Sequence, residues 1–216
     1  MASGRTYGDA CAAAHALDLV GDRWALLVVR ELLFGPKRFT DLRSGLPQVA
    51  ANRLTQRLRE LEGVGVLRRR WLESPARVWV YELTEWGEEL EPVLTLLGRW
   101  GRRSPFRDLE APISADALML ALRGDFDVRA FPGPAATYVI GFGEASFTAT
   151  VGENRLEVVR GRTSSADVVI DTDTRTFASV VTGKQPWQDA REAGSLRIEG
   201  DVHALERFIT AWPRPR

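Results

Sequence analysis

The stretch Val49–Gly65, VAANRLTQRLRELEGVG, carries leucines at positions 54, 58 and 61. The i, i+4, i+7 spacing puts Leu54, Leu58 and Leu61 on one side of an α-helix. Asn52, Gln56 and Arg59 then fall on the opposite side, flanked by Arg53 and Glu60. Such a helix docks its leucine seam on a core and turns amide and guanidinium groups outward. Asn and Gln can pair with adenine edges and Arg with guanine, so the outward face has the chemistry to read bases. Ordinary surface helices share this periodicity, and the flanking segments must decide between the two.

Upstream, Ala10–Val20 reads as a short Ala-rich helix. Arg23–Phe34 reads as a second, apolar at Trp24, Leu27, Val28 and Leu32 and stopped by Gly35 and Pro36. Thr40 is the expected N-cap of a third helix that ends near Gly45, with Phe39 as a staple residue before it. Pro47 separates this helix from the basic one. Two short helices joined by a tight turn make a helix-turn-helix. Downstream, Gly63 and Gly65 permit a turn, and the periodicity changes. Val66–Leu72 and Val78–Leu83 read as strands joined by the turn Glu73-Ser74-Pro75-Ala76. A hairpin directly after a helix-turn-helix is a wing. Arg77 near its tip suits the negative potential of a minor groove. Arg68, Arg69 and Arg70 offer phosphate contacts or, since side chains alternate along a strand, a solvated face.

Thr84 is the expected cap of a long helix, Glu85–Gly101. Trp86, Leu90, Val93, Leu94, Leu97 and Trp100 lie along one side of it, more apolar surface than a small domain leaves on a peripheral helix. Packing within the domain would cover it; a two-fold homodimer through this helix and the N-terminal one suits a helix-turn-helix better.

Net charge is zero, with 29 basic and 29 acidic residues, which argues against a protein that coats nucleic acid without selectivity. The average conceals a local bias. Between Lys37 and Arg77 ten basic residues face four acidic ones, whereas from Leu109 onward twelve face fifteen. The positive charge therefore surrounds the basic helix. Cys11 is the only cysteine, which rules out an internal disulfide and implies a reducing cytoplasm. Arg5, Asp9 and Asp18 interrupt the start, so no signal peptide is expected. The apolar run Trp24–Val29 is too short to span a bilayer.

Arg102–Pro112 is polar, holds two prolines and reads as a linker. Beyond it Ser114 caps a helix to about Arg123. Thr137–Phe142 and Ser146–Val151 alternate around Gly143-Glu144 as a hairpin, and Arg155–Arg160 and Asp167–Asp171 continue the period-2 pattern. Helices are expected at Arg175–Thr182 and Trp187–Ala193, then a fifth strand at Ser195–Glu199 and a last helix capped by Asp201. Strands in blocks with helices set apart describe an α+β domain with a five-stranded sheet. The domains are therefore expected at 1–103 and 113–216, joined by 104–112.

No nucleophile elbow, Walker A loop or HExxH string occurs. Gly141-Phe142-Gly143 begins a weak GxGxxG imitation that Ser146 breaks. His15 and His203 stand far apart, and one cysteine cannot build a Cys/His metal cluster. The expectation is a protein that is not an enzyme and needs no cofactor or metal.

Two resemblances sharpen this reading. The runs LDLVGDRWALLVVRELLFGPKRFTDLRSGLP, LTQRLRELEGVGVLRRR and RVWVYELTEWGEEL resemble the HxlR family of winged-helix transcriptional regulators over about residues 9–103. The resemblance implies a dimeric regulator of double-stranded DNA. Its DNA face would include Thr40, Asn52, Arg53, Gln56 and Arg77, while Arg57 would pair with a nearby carboxylate. Many members have a capping Ser where Ala50 stands, and the change to Ala costs about 0.5–2 kcal/mol of helix stability. A phosphate or another group could take over that cap. Many members also carry a cysteine near the N-terminus, an oxidant sensor in some, at the position of Cys11. Free cysteine is usually buried and inert; the other reading is a redox switch, with His15 four residues on to lower the thiol pKa.

The string ADVVIDTDTRTFASVVTGKQPWQDAREAGSLRIEGDVHALERFI resembles the sterol carrier protein type-2 domain, over about residues 114–212. That resemblance implies an apolar tunnel for a hydrophobic small molecule or acyl chain, lined by Leu118, Leu122, Phe142, Phe147, Phe177, Val181 and Trp187. Any one of these could equally be plain core. The resulting expectation is a ligand-responsive, cytoplasmic, DNA-binding homodimer on a pseudo-palindromic operator, with no membrane association. Its competitors are a lipid carrier that dimerises through the N-terminal half, and a Cys11-based redox regulator.

Overall fold

The computed structural model describes residues 6–74, 76–152 and 155–212. The chain divides into two compact units, Met1–Arg107 and Asp108–Arg216.

The first unit runs α1 (Ala12–Val20), α2 (Ala25–Leu32), α3 (Phe39–Gly45), α4 (Ala51–Gly63), β1 (Leu67–Leu72), β2 (Val78–Leu83), α5 (Glu85–Glu88) and α6 (Leu90–Arg102). The leucine seam of α4 is its keel: Leu54, Leu58 and Leu61 are at most 1% exposed, buried with Val28 and Leu32 of α2, Leu42 of α3 and Leu67 and Val80 of the hairpin. Burying each such side chain stabilises the fold by about 1.5–3 kcal/mol. Lys37 pairs with Tyr81 through N–H···O bonds of 3.0 and 2.8 Å, adding a one-residue third strand to the hairpin. The Lys37 ammonium, itself buried, meets the fully buried Glu31 carboxylate at 2.8 Å. Arg30 holds the other carboxylate oxygen at 2.9 Å.

Two expected helix starts differ, and one expected helix is divided. Thr40 does not cap α3. The helix begins at Phe39 with Arg38 at the N-cap, because Asp41 folds back to accept from the Arg38 backbone at 3.2 Å and from its guanidinium at 2.9 Å. A carboxylate is a stronger acceptor than a hydroxyl, and it suits the positive helix head. Burial pushes the Asp41 carboxyl up, but those bonds with Arg38 outweigh it and hold it below the ordinary range. Trp24 belongs to no helix: it stands just before α2 with φ of 80°, in the left-handed region. The long helix Glu85–Gly101 is two helices, α5 and α6, which part at Glu89. Pro92 has no N–H for the carbonyl four residues back, so it is tolerated only in the first turn of a restarted helix. Thr84 caps α5 as expected, accepting from Gly87 N at 3.1 Å. Gly87 lies so close to the Val66 carbonyl that a Cβ there would stand 2.0 Å from it.

The second unit runs α7 (Ala115–Asp125), β3 (Ala136–Phe142), β4 (Ala145–Val151), β5 (Leu156–Arg160), β6 (Val168–Thr172), α8 (Thr174–Val181), α9 (Trp187–Glu192), β7 (Leu196–Gly200) and α10 (Val202–Thr210). Its sheet has the order β5-β4-β3-β6-β7 and is antiparallel except for the β3–β6 pair. Register places Tyr138 beside Ala149 and Val168, and Ile140 beside Phe147 and Ile170, on one face. These residues are buried without remainder at 0% exposure. Ser114, Asp173 and Asp201 cap α7, α8 and α10 through side-chain bonds to first-turn amides.

Candidate nucleic-acid interface

With its seam buried, α4 exposes Asn52, Arg53, Gln56 and Arg59. Periodicity therefore placed the outward face correctly. Asn52 Oδ1 accepts from the Arg53 backbone at 2.8 Å, and Gln56 Nε2 donates to Glu60 at 3.0 Å. Arg57 is turned inward, only 6% exposed, with one terminal nitrogen 2.8 Å from Asp22 and 2.6 Å from Glu60. The expected carboxylate pairing of Arg57 is thus present, and it ties α4 to the residue just ahead of Arg23 and Trp24.

Ala50 is the N-cap of α4 and supplies no side-chain acceptor. Beside it opens a groove of about 550 Å³. It is lined by Asp22, Arg23, Trp24, Gln48, Ala50, Arg53, Gln56 and Arg57. The Arg23 guanidinium stacks 5.0 Å from the Trp24 ring centroid. Sequence reasoning missed Asp22, Arg23, Trp24 and Gln48 as part of this site. The signal was there in the string GDRW, a turn followed by a cation and an indole just before a helix.

The wing is regular from Leu67↔Leu83 to Trp71↔Trp79. Alternation splits the Arg triplet. Arg68 and Arg70 both reach the buried Glu82, at 2.7 Å each. Arg70, then Arg68, hold the Glu82 carboxyl below the usual carboxylate range. Arg69 projects from the other face and stacks 4.4 Å over Trp79, which meets Trp71 edge-on at 5.4 Å. Arg77 is exposed just before β2, with a φ of 44°, uncommon outside glycine. The turn expected at 73–76 includes Pro75, which lies outside the described residues. Thr40 is exposed on α3. The structure thus gathers Arg53 and Gln56 into one groove with Asn52 on the same helix; Thr40 and Arg77 do not line it.

Cys11 contradicts the expectation of a buried thiol. It is exposed at the N-cap of α1. The backbone amides of Ala14 and then Ala13 lower its pKa, the effect expected of a helix head and not of His15.

In the second unit Leu118, Leu122, Phe147, Phe177 and Val181 are buried, while Phe142 and Trp187 are partly exposed. Phe142 stands 5.5 Å from Phe177 and 6.3 Å from Phe147, edge to face, so these three form one cluster. Arg160 meets the buried Asp116 and lies 4.9 Å over the Phe147 ring, an ion pair against the apolar cluster that the sequence pattern did not indicate. A second cluster joins Phe126, Phe131, Tyr138, Phe208 and Trp212. Among the described residues no group of three or more His, Cys, Asp or Glu is placed to hold a metal ion. No described helix is long and apolar enough to cross a membrane.

The sequence profile of the HxlR-like helix-turn-helix matches residues 19–107. A helix-turn-helix-type transcriptional regulator of Bacillus subtilis (strain 168), YdeP, is 36% identical over 96 residues, which span 44% of this chain and 74% of that protein. The chain belongs to the HxlR-like helix-turn-helix family. The regulator sll1512 of Synechocystis sp. is 40% identical over 95 residues, 44% of this chain and 70% of its own. The reduced form of the regulator YodB from B. subtilis is 31% identical, with a TM-score of 0.40, over 44% of this chain and 95% of that one. The second unit carries a domain of the SCP-2 sterol transfer family, matched over residues 111–211.

Proposed function

We propose that the protein is a DNA-binding transcriptional regulator that acts as a homodimer in the cytoplasm, on a pseudo-palindromic operator, and answers to a hydrophobic small molecule held in its second domain. The observation that carries this reading is α4: a buried leucine seam beneath an exposed row of Asn52, Arg53 and Gln56. Gln56 is tied to Glu60, so reading a base requires it to exchange that partner. The exposed apolar residues of α6 support a dimer, and two half-sites would lie about 10 base pairs apart or a multiple of that. The likeness of the second unit to the SCP-2 sterol transfer family supports an apolar ligand, which modulates DNA binding only if it distinguishes two arrangements of the reading helices.

Selection from a random duplex pool, followed by gel shift across a salt series, tests this. Arg77→Ala should weaken all sequences alike and reduce the salt slope by about one. Asn52→Ala or Gln56→Ala should relax preference at particular base pairs. Absence of salt-sensitive duplex binding would instead leave the lipid-carrier reading. One observation favours a redox reading as well: the exposed, acidified Cys11 thiol. Oxidant should then release DNA from the protein but not from Cys11→Ser; equal release from both ends that reading.

A further inference from the structure

We propose that Glu60 competes with DNA for the Gln56 amide and so sets how strongly α4 weighs the base pair beneath that residue. Asn52, Gln56 and Glu60 follow one another at four-residue steps, a single column along the helix. The third member of the column is a carboxylate, which accepts hydrogen bonds and donates none. It therefore takes the amino end of Gln56, with Nε2 at 3.0 Å from Oε1.

An exposed pair at this spacing ordinarily contributes little, because two long side chains must be ordered to make one bond. Here the acceptor is ordered already. Glu60 Oε2 is shielded from solvent and lies 2.6 Å from a terminal nitrogen of Arg57. Arg57 is only 6% exposed, and the same nitrogen donates to Asp22 at 2.8 Å. One carboxylate oxygen is thus anchored against the helix while the other meets Gln56. Forming the bond then immobilises Gln56 alone. Asn52, one turn nearer the helix head, is held differently, through its oxygen on the Arg53 backbone amide at 2.8 Å.

This inference rests on the proposed reading of bases by α4. Adenine offers Gln56 two bonds, from its N6 amino group to Oε1 and from Nε2 to its N7. One of them only replaces the bond given up to Glu60, so the net gain is one bond where an unheld Gln56 would gain two. A base pair that offers Gln56 nothing leaves the Glu60 bond in place. Glu60 therefore blunts the preference at that one base pair, besides repelling phosphates along the whole duplex. Its removal still leaves Arg57 paired with Asp22, so the buried guanidinium keeps a partner.

The test places Glu60→Ala and Glu60→Gln in the wild type and in Gln56→Ala, with preference measured at every position of the selected operator. Glu60→Ala should raise operator affinity and widen the preference at the base pair that Gln56→Ala relaxes. The widening should be about three- to tenfold, the scale of one hydrogen bond at an exposed site. Glu60→Gln removes the charge but keeps an accepting oxygen. It should strengthen all sequences alike and widen that preference less. In Gln56→Ala both Glu60 variants should raise affinity uniformly and widen nothing. The proposal is overturned if Gln56→Ala relaxes no base pair, if Glu60→Ala leaves the preference unchanged, or if the widening persists without Gln56. A wild type that binds no duplex defeats the DNA reading and this proposal together; a selected operator with an unchanged preference in Glu60→Ala defeats this proposal alone.

Discussion

Helix α6 leaves Val93, Leu96, Leu97 and Trp100 between 48% and 68% exposed, whereas α8 and α10 sink Phe177 and Phe208 to 1% or less. The side chains are chemically alike. What differs is what stands opposite them. In the second unit a five-stranded sheet presents a complete apolar face to its helices, so aromatics find partners inside the same fold. In the first unit a two-stranded wing and short helices cover the α4 seam, and only Leu94 of α6 reaches below 9% exposure. The first unit leaves apolar side chains on its surface, and the second buries them.

The contrast can be broken most severely from its enclosed side. Phe177→Ala should destabilise the second unit by about 3–5 kcal/mol, the cost of truncating a buried aromatic. Calorimetry should show this as a transition that falls in temperature while that of the first unit stays; a loss shared equally by both would contradict two separate cores. Next in size, Leu97→Glu with Trp100→Glu should leave the monomer's unfolding free energy within about 0.5 kcal/mol, as surface changes do. It should also shift sedimentation from dimer to monomer, and an apolar face that served only its own domain would show the reverse pair of results.

The smallest effect is confined to alkaline pH. Burial pushes the Tyr138 phenol up to about 12 from 10.0. Its hydroxyl donates to the Ala204 carbonyl at 2.9 Å. The folded state therefore keeps its proton where the unfolded chain has lost it. Stability is intact below pH 10 and falls as pH rises toward 12. Tyr138→Phe should flatten urea midpoints across that window, and an unchanged slope would show that Tyr138 does not carry the dependence.

How much of this was legible in the chain depends on how local the cause is. The α4 seam, the alternation of β1–β7 and the caps at Ser114 and Asp201 follow from periods of a few residues, so sequence reading found them. The restart at Leu90 was also legible, since Pro92 forbids a continuous helix there, but the apolar stripe from Trp86 to Trp100 hid it. The groove was not legible. It needs Asp22 beside Arg57, 35 positions away, and the heads of two helices brought together by the same buried leucines.

A 3.6-residue period leaves one solution for α4, so its existence, its buried side and its outward residues are all written in the local pattern of the chain. Tertiary structure alone decided what each charge does. Glu82 claimed Arg68 and Arg70 and left Arg69 to Trp79, Asp22 and Glu60 drew Arg57 inward, and Cys11 stayed exposed at a helix head. Coulomb and hydrogen-bond partners are chosen by proximity in space, and sequence separation carries no record of that proximity.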